Sequence, residues 1–275
     1  MVPRSHDQDQ AHPDPVPAGG SDPAAVRLLD GSPRALALPV SLWHLFHAPD
    51  DSYMRWQYGT FMRLLRLFGA LVTLLLPAVF VSLVVYHPIT IPMTLLTSIM
   101  QSRTNVPINL FEETLLMVAV FALINESAIR IPGMMGSSLG LVSTLILGTA
   151  AVDAGLVSPL LIIVVALSGL GSYAMPNYPL SFAFRLGQVA LLLAAGITGV
   201  SGLCYAVVML LCWVAAMESL GQPFLAPGSP RRTHNPDLLL RAPTFRQRLR
   251  AYLSDPREMK RAYGRMRRFD RRNQK

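Results

Sequence analysis

The run "NLFEETLLMVAVFALINESAIRIP", residues 109–132, decides the fold, because it lies among long apolar segments and yet carries Glu112, Glu113, Glu126 and Arg130. A charge at the bilayer centre costs about 2.5–3.5 kcal/mol on insertion scales, so such groups line a cavity, sit at an interface or pair. The uninterrupted apolar core, Thr114 to Ile124, covers only about 16 Å at 1.5 Å per residue and cannot span a bilayer alone. At 100° per residue Glu112 and Arg130 coincide, and Glu126 and Ser127 fall within about 60° of them. Leu115, Leu116, Ala119 and Leu123 fill the same stripe, which is polar at both ends and apolar between. Glu126 and Arg130 stand i, i+4 in the favourable order, worth about 0.2–0.5 kcal/mol on an exposed helix.

Two readings of this helix stand side by side. In one it lies at the membrane surface with its charges solvated. In the other, several copies meet so that Glu112 and Glu126 form acidic rings and Leu115, Ala119 and Leu123 form an apolar constriction that gates by dewetting, with Glu113 and Arg130 completing the candidate pore and gating set. An ion pair to another helix of the same chain is a third.

The surroundings place it in a membrane protein. Of 275 residues 52% are hydrophobic and 15% charged, whereas a soluble domain carries about 25% charged residues. The net charge of +8 belongs to the end of the chain: residues 218–275 hold 15 Lys/Arg against 5 Asp/Glu, and residues 67–217 hold 3 against 4. Residues 1–24 are rich in Pro, Asp and Gly without an apolar core, which reads as a disordered lead-in and not a signal peptide. In "AVRLLDGSPRALALPV", residues 25–40, two short apolar runs flank a turn and predict a β-hairpin, which alone is marginal and needs a sheet to join. The aromatic, Arg-bearing stretch 41–66, with Trp43, Trp56 and Tyr58, predicts an interfacial helix.

Residues 67–86 form the first spanning candidate, kinked at Pro77. Residues 87–107 are too broken by proline for one long helix. Residues 134–152 and 155–175 predict a helical hairpin about a short turn at Asp153-Ala154. Residues 186–217 exceed a bilayer's need, so they tilt, bend near Gly196, Gly199 and Gly202, or project beyond it. These glycines, with Gly140, Gly148, Gly169 and Gly171, allow close helix contact. The reading is an all-α polytopic membrane protein of four to five transmembrane or re-entrant helices, with the hairpin and interfacial helix over 25–66, a membrane domain over 67–217 and a basic tail over 218–275. Arg55, Arg63 and Arg66 before the first span and the basic tail after the last place both termini in the cytoplasm. That requires an even number of crossings, and four strong spans leave 107–131 as a non-crossing or re-entrant element on the outer side. If it does cross, one of the other four does not. Pro77 and Gly199 are the candidate hinges.

No enzymatic constellation emerges. Ser137, Ser138 and His87 lack a base or nucleophile at a supporting spacing, the glycines do not form a phosphate loop, and Cys204 and Cys212 lack metal-site spacing, so no cofactor or metal is expected. The tail's arginines follow a span without a nucleic-acid-binding fold, and anionic lipid explains them at about 1 kcal/mol per basic residue.

The runs "VRLLDGSPRALALPV", "ILGTAAVDAGLVSPLLIIVVAL", "SYAMPNYPLSFAFRL" and "ESLGQPFLAP" together resemble the membrane half of the GerA spore germination proteins, the A subunits of nutrient germinant receptors, from about Val26 to about Pro243. The resemblance is carried most specifically by "AAVDAGLVSP", with Asp153 and Pro159 in its pattern. It implies a multi-pass protein of the spore inner membrane, beside a transporter-like B subunit and a lipoprotein C subunit, assembled into a homo-oligomeric ring that conducts ions when nutrient binds. It also admits an accessory component like stage V sporulation protein AF, or a non-conducting scaffold. In the family pattern Glu113, Phe121, Glu126, Arg130 and Pro132 fit, whereas Val118 and Ala122 stand where relatives carry acids and Asn125 where they carry a base. The family's sizeable soluble domain precedes the "DGSP" turn, so a chain with so short a lead-in is expected to be a truncated copy, a piece of a split gene or a product of a misplaced start.

Overall fold

The computed structural model describes residues 25–28, 35–38, 40–48, 51, 54–130, 142, 146–219, 222–226 and 228, with backbone alone for 25–28, 35–38 and 128–130. The chain forms two compact units, one from the segments up to Thr60 and from Glu218 onward, the other from Phe61–Met217.

In the first unit the expected hairpin is present: β1 (Ala25–Leu28) pairs antiparallel with β2 (Ala35–Leu38), Ala25 opposite Leu38 and Leu28 opposite Ala35. It joins no larger sheet, since each sheet among the described residues has two strands. The predicted interfacial helix is corrected. A single turn, α1 (Leu42–Leu45), follows Ser41, whose hydroxyl lies 2.8 Å from His44 Nδ1, and Asp51 Oδ2 accepts the Ala48 N–H at 3.3 Å beyond it. Proline and two aspartates at 49–51 cannot continue a helix as readily as they make a turn. Past Met217 the chain returns to this unit as β3 (Glu218–Ser219) and β4 (Gln222–Pro223). There the Leu42 N–H donates to Phe224 O at 2.9 Å and Trp43 Nε1 to Leu225 O at 3.1 Å.

The second unit is a helical bundle. Helix α2 (Trp56–Val81) runs on through a π-helical turn, Ser82–Tyr86, so Trp56, Tyr58, Arg63 and Arg66, assigned to a separate surface helix, belong to the long apolar one. Arg63 is buried within it and Arg66 half-buried. A 3₁₀ turn (Pro88–Thr90) and the short α3 (Met93–Ser102) follow, as the proline spacing requires. Next come α4 (Leu110–Arg130) and, beyond the undescribed residues 131–141, a helical run over 146–153. That run ends in a Schellman motif: Leu156 N–H reaches Ala151 O, Gly155 N–H reaches Val152 O, and Gly155 takes φ +68°. Ser158 then takes the N-cap position of α5 (Pro159–Tyr173), with Pro159 in the first turn where its missing N–H costs nothing.

The segment expected as one long helix over 186–217 is instead two. Helix α6 (Tyr178–Thr198) stops at Gly199, φ +69°, and α7 (Val200–Ala216) folds back along it. Leu210 reaches the side of Gly187, and Leu203 joins Ala195 and Leu191 in one apolar cluster with Ala78 of α2. Apolar character continues across the reversal, and only the glycine's positive φ marks it.

Neighbours at the two ends fix the directions. At one end Tyr86 packs on Gly199 and donates its hydroxyl to Gly196 O, Phe111 packs on Gly196, and Glu113 bonds to Ser158. At the other, Gly69 meets Gly171 and Ala174, Asn125 meets Tyr173, and Glu126 meets Tyr178. Helices α2 and α6 therefore run one way, and α4, α5 and α7 the other. Helix α4 lies lengthwise on α5, from Glu113 beside Ser158 at one end to Asn125 beside Tyr173 at the other. The Asp153 turn shares the Tyr86–Gly199 end, opposite the entry of α2. Val81, Ile99, Met117, Val157, Leu161, Val165 and Leu192 form the central core. Among the described residues two helices, Trp56–Tyr86 and Tyr178–Thr198, are long and apolar enough to cross a membrane, and Pro159–Tyr173 and Val200–Ala216 are shorter apolar helices.

Candidate functional site

Helix α4 separates its charges by face. Glu113 turns into the bundle and is 0% exposed. Its Oε1 accepts from the Ser158 N–H at 2.6 Å and the Ser158 hydroxyl at 2.8 Å, while Oε2 lies 3.3 Å from Arg103 Nη2. Arg103 also donates to Ile108 O at 3.0 Å, closing the loop between α3 and α4. A carboxylate thus takes the position at the start of α5 where backbone N–H groups point outward and negative charge is favoured. Removing one partner of such a buried pair costs about 3–5 kcal/mol, because the other is left uncompensated. The same inward face carries Leu110, Thr114, Met117 and Val118, all buried.

The outward face is the stripe read from the sequence, with two corrections. Glu112, Leu116, Ala119, Leu123 and Ser127 are exposed, Leu123 to 66%. Leu115 is half-buried against the core, so Leu116 takes its place on the open face, and Glu113 does not belong to that face at all. Glu126 is half-buried and its Oε2 accepts the Tyr178 hydroxyl at 2.7 Å. The proposed Glu126–Arg130 pair and the residues Pro132, Ser137, Ser138 and Gly140 lie outside the described side chains.

Near Glu126 a second polar group forms. The Tyr173 hydroxyl donates to buried Asn125 Oδ1, and Arg185 Nη2 donates to Ser172 Oγ at 3.0 Å. Deeper in, Pro77 deprives the Thr73 carbonyl of its i+4 N–H donor. Ser168 Oγ supplies the missing donor at 3.1 Å, Thr73 Oγ1 lies 2.9 Å from Ser168 O, and Gln188 Nε2 donates to Ser168 Oγ at 3.1 Å. Thr73, Ser168 and Gln188 were not singled out in the sequence. The signal available was Pro77, which always implies a carbonyl four residues earlier in need of a partner. Pro77 is buried inside α2, opposite a hydroxyl of the neighbouring helix, and Gly199 is the turn of a hairpin. Asp153 and Thr149 lie at the rim of an apolar groove of about 530 Å³ between the 146–153 run and α5, floored by Phe121, Ile162 and Gly169. Cys204 and Cys212 are free thiols exposed on α7.

Among the described residues the second unit is thus an apolar helical bundle with a buried ion pair and interhelical hydroxyl bridges, and two of its helices are long and apolar enough to cross a membrane. Residues 24–253 match the family described as Bacillus/Clostridium GerA spore germination protein, and the chain belongs to this family. It is 37% identical to spore germination protein GerLA of Bacillus cereus over 79% of the chain, which covers 44% of that relative. It is 33% identical to spore germination protein B1 of Bacillus subtilis (strain 168) over 83% of the chain and 48% of the relative. Spore germination protein A1 of the same strain is 34% identical over 80% of the chain and 46% of the relative. The chain thus spans about half the length of the curated relatives it matches. No solved structure matches it.

Proposed function

We propose that the chain is an A-type component of a spore germinant receptor and takes part in nutrient-triggered ion release as one subunit of a homo-oligomeric membrane channel, with no enzymatic step. The carrying observation is the division of α4: Met117, Val118 and Glu113 anchor it in the bundle, while Glu112, Leu116, Ala119 and Leu123 stay uncovered. Copies presenting that face to a common axis place Glu112 and Glu126 at the two mouths and the apolar residues between them. Acidic rings flanking a short apolar constriction favour cations and gate by dewetting.

In this reading the helices of the second unit cross the bilayer an even number of times, and both termini stay on the cytoplasmic side of the spore inner membrane. Partners are a transporter-like B subunit and a lipoprotein C subunit, with anionic lipid holding the tail. The experiment is to follow potassium and dipicolinate release from spores of the native host after a nutrient panel, with the gene deleted or replaced by the Glu112→Gln/Glu126→Gln variant. Loss of release on deletion and altered cation dependence in the variant support the reading. A deletion effect without any change in the variant points to a non-conducting scaffold.

A further inference from the structure

The Glu113 cluster ties together three pieces of chain that a moving α4 would have to part. They are the 103–108 loop, the first turn of α4, and the turn between the 146–153 run and α5. All three meet on one carboxylate, which is 0% exposed, and on Arg103, whose side chain is 20% exposed. The cluster is also incompletely satisfied: Glu113 Oε2 and Arg103 Nε are buried without a hydrogen bond, so their attraction rests on a 3.3 Å contact alone. Buried polar atoms in folded proteins are bonded in the great majority, and a pair that leaves two of them unbonded gains hydrogen bonds from water when it separates. Glu113 is moreover adjacent to Glu112, and one residue along a helix is about 100° of rotation. Turning the first turn of α4 outward brings the Glu113 carboxylate toward the open face that Glu112 already occupies.

We infer that Arg103–Glu113–Ser158 is a latch that holds the Tyr86–Gly199 end of α4 in the resting position, and that its release accompanies opening. This rests on the channel reading above. Three variants separate the contributions. Glu113→Gln keeps an acceptor for Ser158 and loses the charge facing Arg103. Arg103→Gln loses the same ion contact from the other side, and Ser158→Ala loses only the hydroxyl bond, because the backbone N–H remains.

The test is ion release from purified spores without nutrient, beside the amount of variant protein in the inner membrane. The latch predicts basal release raised about tenfold or more in Glu113→Gln and in Arg103→Gln, the size of a modest bias in a two-state equilibrium. The double variant should do no more than either single one, and Ser158→Ala should do less. Variant protein at wild-type abundance with unchanged basal release overturns the latch, and so does reduced abundance with no rise in release per molecule.

A second readout does not depend on conduction. In a Cys204→Ala/Cys212→Ala background, Ile108→Cys is labelled with a membrane-impermeant maleimide, with and without Glu113→Gln. Faster labelling with Glu113→Gln supports the latch even if deletion of the gene leaves ion release untouched, in which case the channel reading alone fails. Equal labelling rejects the latch whatever the ion measurements show.

Discussion

Pro77 and Ser168 should be energetically coupled, although they lie on different helices and the proline has no N–H to donate. Proline leaves the Thr73 carbonyl without its helical donor, and Ser168 Oγ fills that place at 3.1 Å while accepting from Gln188 Nε2. Ser168→Ala therefore orphans a buried carbonyl and a buried amide donor. Interhelical hydrogen bonds of membrane proteins are worth about 0.6 kcal/mol on average and about 1.7 at most, so the two together are expected to cost about 1–2 kcal/mol. In a Pro77→Ala background the backbone N–H restored at that position can satisfy Thr73, and the cost of Ser168→Ala should fall by the share of one bond, about 0.6–1.7 kcal/mol. The assay is a double-mutant cycle by equilibrium unfolding of the purified protein in mixed micelles. Distant, independent sites add within about 0.3–0.5 kcal/mol, which sets the threshold. If Ser168→Ala costs the same with and without Pro77, the carbonyl is not what Ser168 serves and the argument fails.

Further outcomes follow from close contacts. A Cβ on Gly171 would stand 2.4 Å from Gly69 O and 2.6 Å from Thr73 Oγ1, so Gly171→Ala should separate α2 from α5 and cost at least the 1–3 kcal/mol typical of overpacking, read as a lowered melting temperature in detergent. Gly199→Ala meets both a φ of +69° and the Tyr86 ring at 2.7 Å, so it should destabilise the α6–α7 hairpin instead of stiffening a hinge; an unchanged melting temperature would count against the one-residue turn. Trp43→Phe removes the bond to Leu225 O and should cost about 1 kcal/mol, seen as faster proteolysis after Leu225.

How much of this could be read from the residues varied with the range of the deciding interaction. The 25–38 hairpin and the extent of α4 were legible, because turn residues and charge spacing are local, whereas the arm read as 155–175 starts only at Pro159, after Gly155 has closed the preceding helical run. The reversal at Gly199 was not, since apolar residues run on through it and a glycine in a helical stretch reads equally as a packing residue. The aromatic and arginine residues before 67 fit a surface helix and the first turns of a long one alike. Which of Glu112 and Glu113 turns inward was beyond the sequence altogether. Periodicity put Glu112 on the stripe but could not give Glu113 a partner, because that partner, Ser158, lies 45 residues away.

The open face of α4 can be told from a lipid-facing one by its chemistry. Helix α7 exposes Tyr205, Val208, Met209, Leu211 and Trp213 and has no ionisable residue of the Asp, Glu, Lys, Arg or His type between Val200 and Ala216, which suits hydrocarbon. Helix α4 exposes small and apolar residues between Glu112 and Glu126, acids that stand about 21 Å apart along the axis at 1.5 Å per residue. That separation is shorter than the roughly 30 Å of a bilayer core, so an α4 facing lipid would have to bring at least one acid into hydrocarbon. A face shared between copies has no such cost. Tryptophan placed at Val208 should then be accommodated by lipid, with membrane abundance and ion release unchanged. At Ala119 the same side chain would intrude among neighbouring copies, and overpacking of about 1–3 kcal/mol per site should abolish assembly or ion release while the isolated subunit still inserts. Equal tolerance at the two positions would put α4 against lipid and remove the physical ground for a shared pore.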